Sequence, residues 1–154
     1  MKNKTVTFIL WLLICQIPSA IGGVFVYGGM AWYTPLNRPA LVPPSALFGV
    51  VWTVLYILLG ISGHLLIGSA WRTQPKITAL FLGQLVLNAL WTPVFFGLHS
   101  LPGAVVVIML MICQCLWLMR AAWRQNKTAA WLMVPYFIWL CFAAYLTTGY
   151  WWLN

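Results

Sequence analysis

The chain has 154 residues, 64% of them apolar and 5% charged, with eight Lys plus Arg, no Asp or Glu and a formal charge of +8. A soluble domain carries about 45 to 50% apolar and about 25% charged residues, so composition excludes a water-soluble globule and points to an integral membrane protein. The missing carboxylates exclude carboxylate-held calcium or magnesium, a two-carboxylate glycosidase, a Ser-His-Asp triad and a proton-coupled exporter working through a membrane Glu. The cations are scattered over terminal and loop segments instead of forming a stripe, which argues against nucleic acid as a partner.

A hydrocarbon core of about 30 Å needs about 20 apolar helical residues. Blocks of that length fall near 6–28, 46–68, 77–97, 102–123 and 130–152. The expected fold class is all-α integral membrane, a five-transmembrane-helix bundle in a single domain over 1–154. Lys2 and Lys4 precede the first block as they would in a signal peptide. That block outruns the usual run of about 7 to 15 residues, and no convincing small-x-small cleavage site ends it, so it reads as a retained helix. Lys2, Lys4, Arg72, Lys76, Arg120, Arg124 and Lys127 share the face holding the N-terminus, and Arg38 lies on the other. The positive-inside rule then puts the N-terminus in the cytoplasm, with that face drawn to anionic lipid headgroups. A compact chain without a targeting presequence points to a bacterial cell membrane.

The first loop, 29–45, contains Pro35, Pro39, Pro43 and Pro44. Prolines fix φ and discourage helix, so the loop is expected to be ordered, either a rigid cap over one mouth of the bundle or a turn that only joins two helices. On the third helix, Gln84, Asn88, Trp91 and Phe95 share one face at the 3.6-residue period. Two amides cannot point at lipid without cost, so this face is turned inward, bonding a neighbouring helix or lining a pocket. Phe48, Trp52 and Tyr56 form an aromatic stripe on the second helix, and Pro135, Trp139 and Ala143 share a side of the fifth. Three such faces would enclose an apolar, aromatic chamber, and a stiff cap with buried amides is the usual make-up of a small-molecule site.

Cys15, Cys113, Cys115 and Cys141 sit inside apolar runs and read as packing residues. His64 and His99 fall at opposite ends of the bundle, so they cannot ligate one haem iron and neither is assigned to a metal. Ala79 and Gly83 form a small-xxx-small pair, a candidate homodimer seam.

Trp32-Tyr33-Thr34-Pro35-Leu36-Asn37-Arg38-Pro39, with Pro43-Pro44, Phe48, Trp52 and Leu55-Tyr56 after it, resembles the TspO/MBR family, the tryptophan-rich sensory proteins related to the mitochondrial translocator protein. The resemblance continues through Gln84-Leu85-Val86-Leu87-Asn88-Ala89-Leu90-Trp91-Thr92-Pro93-Val94-Phe95-Phe96-Gly97 and Val134-Pro135-Tyr136-Phe137-Ile138-Trp139. It implies a five-helix bundle, commonly dimeric, that binds protoporphyrin IX or a related tetrapyrrole and synthetic isoquinoline carboxamide or benzodiazepine ligands under the first loop, with no covalently required cofactor. Pocket roles carry over to Trp32 in the loop, Trp52, Asn88, Trp91 and Trp139, and the family's dimer motif to Ala79 and Gly83. Phe48 belongs with the pocket through its stripe, and Arg38, the only cation on its side, is expected to meet a propionate.

The resemblance admits transport, sensing or light-dependent porphyrin degradation, the last with Trp52 and Trp139 as redox-active indoles and no conventional catalytic residue. A small multidrug-type transporter or a modulatory partner of other membrane proteins is the alternative from another class. The chain departs from the family at Ala40-Leu41-Val42, where many members have an aromatic residue, and at Leu146-Thr147, where Leu-Asn is common. Mitochondrial members also bind cholesterol, but no cation follows Tyr145 or Tyr150, so the weak sterol pattern gives no support for that here.

Overall fold

A computed structural model of the chain describes residues 3–68 and 70–154. Among these, five helices are long and apolar enough to cross a membrane. They are α1 (Lys4–Tyr33), α2 (Ser45–Leu66), α3 (Pro75–Thr92), α4 (Leu101–Gln125) and α5 (Lys127–Leu153), and α3 runs on into a π-helical turn, Pro93–Gly97. The protein is an all-α integral membrane bundle.

Local chemistry sets the helix ends. Asn3, Ser100 and Asn126 place a side-chain oxygen 3.0, 3.2 and 3.1 Å from the amides of Thr5, Gly103 and Ala129, satisfying first-turn donors that would otherwise be orphaned. Pro75 opens α3 at a position where a missing N–H costs nothing. Asn126 alone joins α4 to α5.

At the far end of α1, Pro35 has no N–H for the next helical bond, and the helix stops at Tyr33. Trp32 was expected in the first loop and instead occupies the last turn of α1, so the loop narrows to 34–44. The π-helical turn has a related cause. Pro93 cannot donate to the carbonyl of Ala89, and the chain widens to a bond from the Leu98 amide to the Pro93 carbonyl at 2.9 Å. The wider turn lets the adjacent Phe95 and Phe96 both face inward, 2% and 9% exposed.

The helices close a ring in the order α1, α2, α5, α4, α3. Phe81, Ile108, Met111, Met133, Tyr136 and Leu140 fill its centre. Leu13, Val50, Val86, Leu116 and Ile138 are exposed on the outside, the surface that lipid covers. Cys15 and Cys115 pack in the core as expected, whereas Cys113 and Cys141 are exposed; Cys113 and Cys115 differ because i, i+2 neighbours on a helix point to opposite sides.

Charge is divided between the two ends. Lys4, Arg72, Lys76, Arg120, Arg124 and Lys127 gather at one, where Arg72 lies 4.6 Å over Trp71 and Lys127 lies 5.9 Å from Trp123. Lys2, counted with them above, lies outside the described residues. Arg38 sits at the other end, in the first loop.

Candidate ligand-binding site

A polar network crosses the middle of the bundle. Tyr56 on α2 donates its hydroxyl to Asn88 Oδ1 at 2.8 Å, and Asn88 Nδ2 and Gln84 Nε2 on α3 donate to the Tyr136 hydroxyl oxygen on α5 at 2.8 and 2.9 Å. All four residues are buried. The inward face of α3 therefore does bond its neighbours, tying three helices together where no water competes. Tyr136 was not singled out by the sequence reading, although a phenol three residues before Trp139 shares its side of the helix and needs a partner.

Aromatic rings flank this network in two groups. Between α2 and α5, Trp139 meets Phe48 at 5.8 Å and Trp52 at 6.3 Å, while Trp52 stacks on Tyr56 at 5.4 Å and meets Tyr136 at 6.3 Å. Between α1 and α3, Phe95 meets Trp91 at 5.1 Å and Trp32 at 5.6 Å, and Trp32 stacks on His99 at 4.5 Å. His64 packs against Phe8 near the start of α1, far along that helix from Trp32 and His99. Asn88 links the two groups, one turn from Trp91 on its own helix and bonded to tyrosines one turn from Trp52 and from Trp139. Phe48, Trp52, Trp91 and Trp139 are half-buried.

One expected face is rotated. Pro135 is exposed, and the buried line on α5 runs through Met133, Tyr136, Leu140, Ala144 and Thr147, leaving Trp139 and Ala143 on its flank. A helix that packs on α2 and α4 buries the line between them, and Trp139 belongs to the α2 side.

The Trp91 and Trp139 indole nitrogens and Gln84 Oε1 are buried with no hydrogen-bond partner among the described residues. A buried N–H or carbonyl left unpaired costs about 1 to 3 kcal/mol. Two donors and one acceptor are thus available to a polar group arriving between the aromatic walls.

The first loop is fastened across the end of α5. The Asn37 amide donates to Asn154 Oδ1 at 2.9 Å, Asn154 Nδ2 donates to the Asn37 carbonyl at 3.1 Å, and Asn37 Nδ2 donates to the Leu153 carbonyl at 3.2 Å. Tyr145 donates its hydroxyl to the Ala40 carbonyl at 3.1 Å, and the Tyr33 and Tyr150 hydroxyls lie 2.6 Å apart. A Cβ on Gly149 would fall 2.6 Å from Pro39 Cβ, so only glycine permits this approach. Leu41 takes φ of 66°, a left-handed conformation that costs a branched residue energy and persists because the loop is held on both sides. Arg38 is exposed beside Asn37.

Two outer grooves, of about 630 Å³ between α4 and α5 and about 510 Å³ between α3 and α4, include none of Trp32, Arg38, Phe48, Trp52, Asn88, Trp91 or Trp139 in their walls. Ala79 lines the second. Gly83 turns toward α4, where a Cβ would lie 3.0 Å from Gln114 Nε2.

The TspO/MBR family model matches residues 9–153. Protein CrtK of Rhodobacter capsulatus is 36% identical over 149 residues, covering 96% of this chain and 92% of that protein. The tryptophan-rich protein TspO of Chlorobaculum tepidum is 35% identical over 150 residues, covering 95% and 94%. The human translocator protein is 34% identical over 136 residues, covering 85% and 80%. A match that begins in the second turn of α1 and ends on the last residue of α5, with the tryptophans and the buried amides in their expected order, is a match to the whole bundle: the chain belongs to the TspO/MBR family.

Proposed function

We propose that the chain binds a tetrapyrrole, with protoporphyrin IX as the model ligand, between its two aromatic groups and beneath the first loop. The observation that carries this reading is the set of buried, unpaired polar atoms, Trp91 Nε1, Trp139 Nε1 and Gln84 Oε1, among half-buried indoles. A porphyrin is a flat π-system with pyrrole nitrogens at its centre and two carboxylates at its edge. Indole faces bury the ring, each aromatic contact adding about 0.5 to 1.5 kcal/mol beyond area burial. The unpaired indole N–H groups suit a carboxylate or carbonyl, the Gln84 oxygen suits a pyrrole N–H, and Arg38 supplies the cation for a propionate. Because the rings now fill their own space, binding requires the walls to part. The concentration of cations at the end holding Lys4 supports a cytoplasmic N-terminus.

Dark titration of the detergent-solubilised protein with protoporphyrin IX, followed by tryptophan quenching, tests the reading. Trp139→Phe keeps an aromatic ring and removes the N–H, so affinity is expected to fall about ten-fold, the worth of one hydrogen bond at the upper end of the usual range. Saturable binding absent from the unaltered protein, or untouched by this change, would remove the support.

The contact between Trp52 and Trp139 at 6.3 Å also favours light-dependent porphyrin degradation, since it sets two readily oxidised indoles side by side at the site. Bleaching of bound porphyrin under illumination in oxygen is then expected to be lost in the Trp52→Phe, Trp139→Phe double variant. Bleaching at an unchanged rate, with porphyrin still bound, would assign the chemistry to the pigment alone.

A further inference from the structure

α1 and α2 lie against each other over only part of their length. Toward the cation-rich end the approach is close, and a Cβ on Gly60 would fall 2.8 Å from a Leu12 methyl and one on Gly63 2.8 Å from the Trp11 ring. Eleven residues turn a helix through three full turns and about 20° more. Gly49 therefore faces the same side of α2 as Gly60, and Gly23 the same side of α1 as Leu12. Antiparallel helices that stayed in contact would bring Gly23 and Gly49 together. Instead, a Cβ on either meets nothing within 4 Å beyond its own helix among the described residues. Tyr27 and Met30 on that side of α1 are 88% and 38% exposed, and Thr53 on that side of α2 is exposed. The two helices splay, leaving a wedge-shaped opening in the half of the bundle that holds the first loop.

The splay has a cause on each side. Glycines draw the loop half of α1 onto α3 and the π-helical turn, since a Cβ on Gly22 would lie 3.3 Å from Thr92 Oγ1 and one on Gly29 2.7 Å from the Phe96 carbonyl oxygen. Phe48 holds the loop half of α2 on α5, 5.8 Å from Trp139. The loop joining the two helix ends is carried toward α5, where Asn37 and Ala40 are bonded to Asn154 and Tyr145.

The edge of the opening is apolar, because the Thr53 hydroxyl donates to the Gly49 carbonyl of its own helix at 2.8 Å. Its floor is the polar network. Tyr56 stands seven residues beyond Gly49, about 10 Å along α2 and on nearly the same side. It is 3% exposed and bonded to Asn88, and half-buried Trp52 stacks on it. The wedge thus runs from the lipid-facing surface to the amides and indoles of the candidate site, whereas the water end is crossed by a fastened loop. A flat, largely apolar ring leaves water for the bilayer before it meets the protein. We propose that the tetrapyrrole enters sideways from the bilayer, between the loop halves of α1 and α2, with Gly23 and Gly49 as the residues that keep the passage wide enough for a planar ring. This route rests on the tetrapyrrole reading above.

Stopped-flow tryptophan quenching by protoporphyrin IX, with the full chain in phosphatidylcholine nanodiscs, reads association, and dilution of the complex reads dissociation. Gly23→Phe and Gly49→Phe each set a ring in the opening from opposite helices, at positions where a side chain has open space, so either variant alone carries the test. Each is expected to slow association and dissociation alike by about ten-fold, the effect of a side chain that must be pushed aside, and to leave the equilibrium affinity unchanged. Gly28→Phe adds the same ring to the same helix, also in open space, but on a side turned about 160° from Leu12. Its rates are expected to match those of the parent. Unchanged rates in Gly23→Phe and Gly49→Phe, with binding intact, would overturn the route and give entry to the loop end. Equal slowing in Gly28→Phe would overturn it as a general effect of bulk on α1. Lost affinity with unchanged association would also overturn it, making the opening part of the bound site. A parent chain without saturable binding would overturn the tetrapyrrole reading, and this route with it.

Discussion

Tyr136→Ala is expected to destabilise the bundle by about 5 kcal/mol, enough to prevent recovery of folded protein at ordinary temperature. The ring is fully buried, 0% exposed, between Trp52 and the centre of the bundle, and removing a buried aromatic side chain costs about 3 to 5 kcal/mol through lost contacts and the cavity left behind. The hydroxyl adds to this, because its loss strands the Gln84 and Asn88 amide donors on α3 where neither water nor lipid can pair with them. Tyr136→Phe separates the two contributions. It keeps the ring and strands the amides, so about 2 kcal/mol is expected from it alone. The yield of folded protein in detergent reads Tyr136→Ala, and thermal unfolding followed by near-ultraviolet circular dichroism reads Tyr136→Phe; a Tyr136→Ala protein recovered folded and as stable as the parent would mean that the network does not hold α3 to α5.

Gly149→Leu is expected to lift the first loop from α5. With a Cβ already 2.6 Å from Pro39, a leucine cannot be accommodated by a rotamer change, and overpacking of this kind costs about 1 to 3 kcal/mol. The cheapest relief is to move the loop, which gives up the bonds between Asn37 and Asn154. Amide exchange at Asn37 should then quicken by about ten- to a hundred-fold while the core of α5 is unaffected. Porphyrin bound beneath the loop should dissociate faster in the same variant. Unchanged exchange at Asn37 would show that those side-chain bonds do not restrain the loop.

The five spans were legible because lipid forces both composition and length, and the inward turn of Gln84 and Asn88 was legible because a period of 3.6 puts two amides on one side. Their partners were not, since Tyr56 and Tyr136 arrive from other helices far along the chain. The length of α1 was missed for a tertiary reason. The helix continues past Gly28 because Gly29 lets it pack against Phe96, where a Cβ would fall 2.7 Å from the Phe96 carbonyl oxygen. The rotation of α5 escaped notice because that helix is apolar on all sides and its sequence gives no direction. The π-helical turn required knowing that Phe95 and Phe96 are both buried, and the loop fastening joins residues at nearly opposite ends of the sequence.

The ring order has a consequence for how the molecule is divided. α1 and α2 are consecutive and packed together, as are α3, α4 and α5, the last pair joined by Asn126 alone. The remaining interfaces, α1 with α3 and α2 with α5, form one seam between a hairpin and a three-helix unit. Trp32 meets Phe95 across that seam, Tyr56 meets Asn88, and Trp52 meets Trp139. At one end the chain itself crosses the seam where α2 is joined to α3, and at the other Asn37 and Asn154 bridge it. The molecule is thus built as a book, with its spine at the cation-rich end and its clasp at the loop. The aromatic residues are printed on the facing pages, where opening the clasp would expose them together.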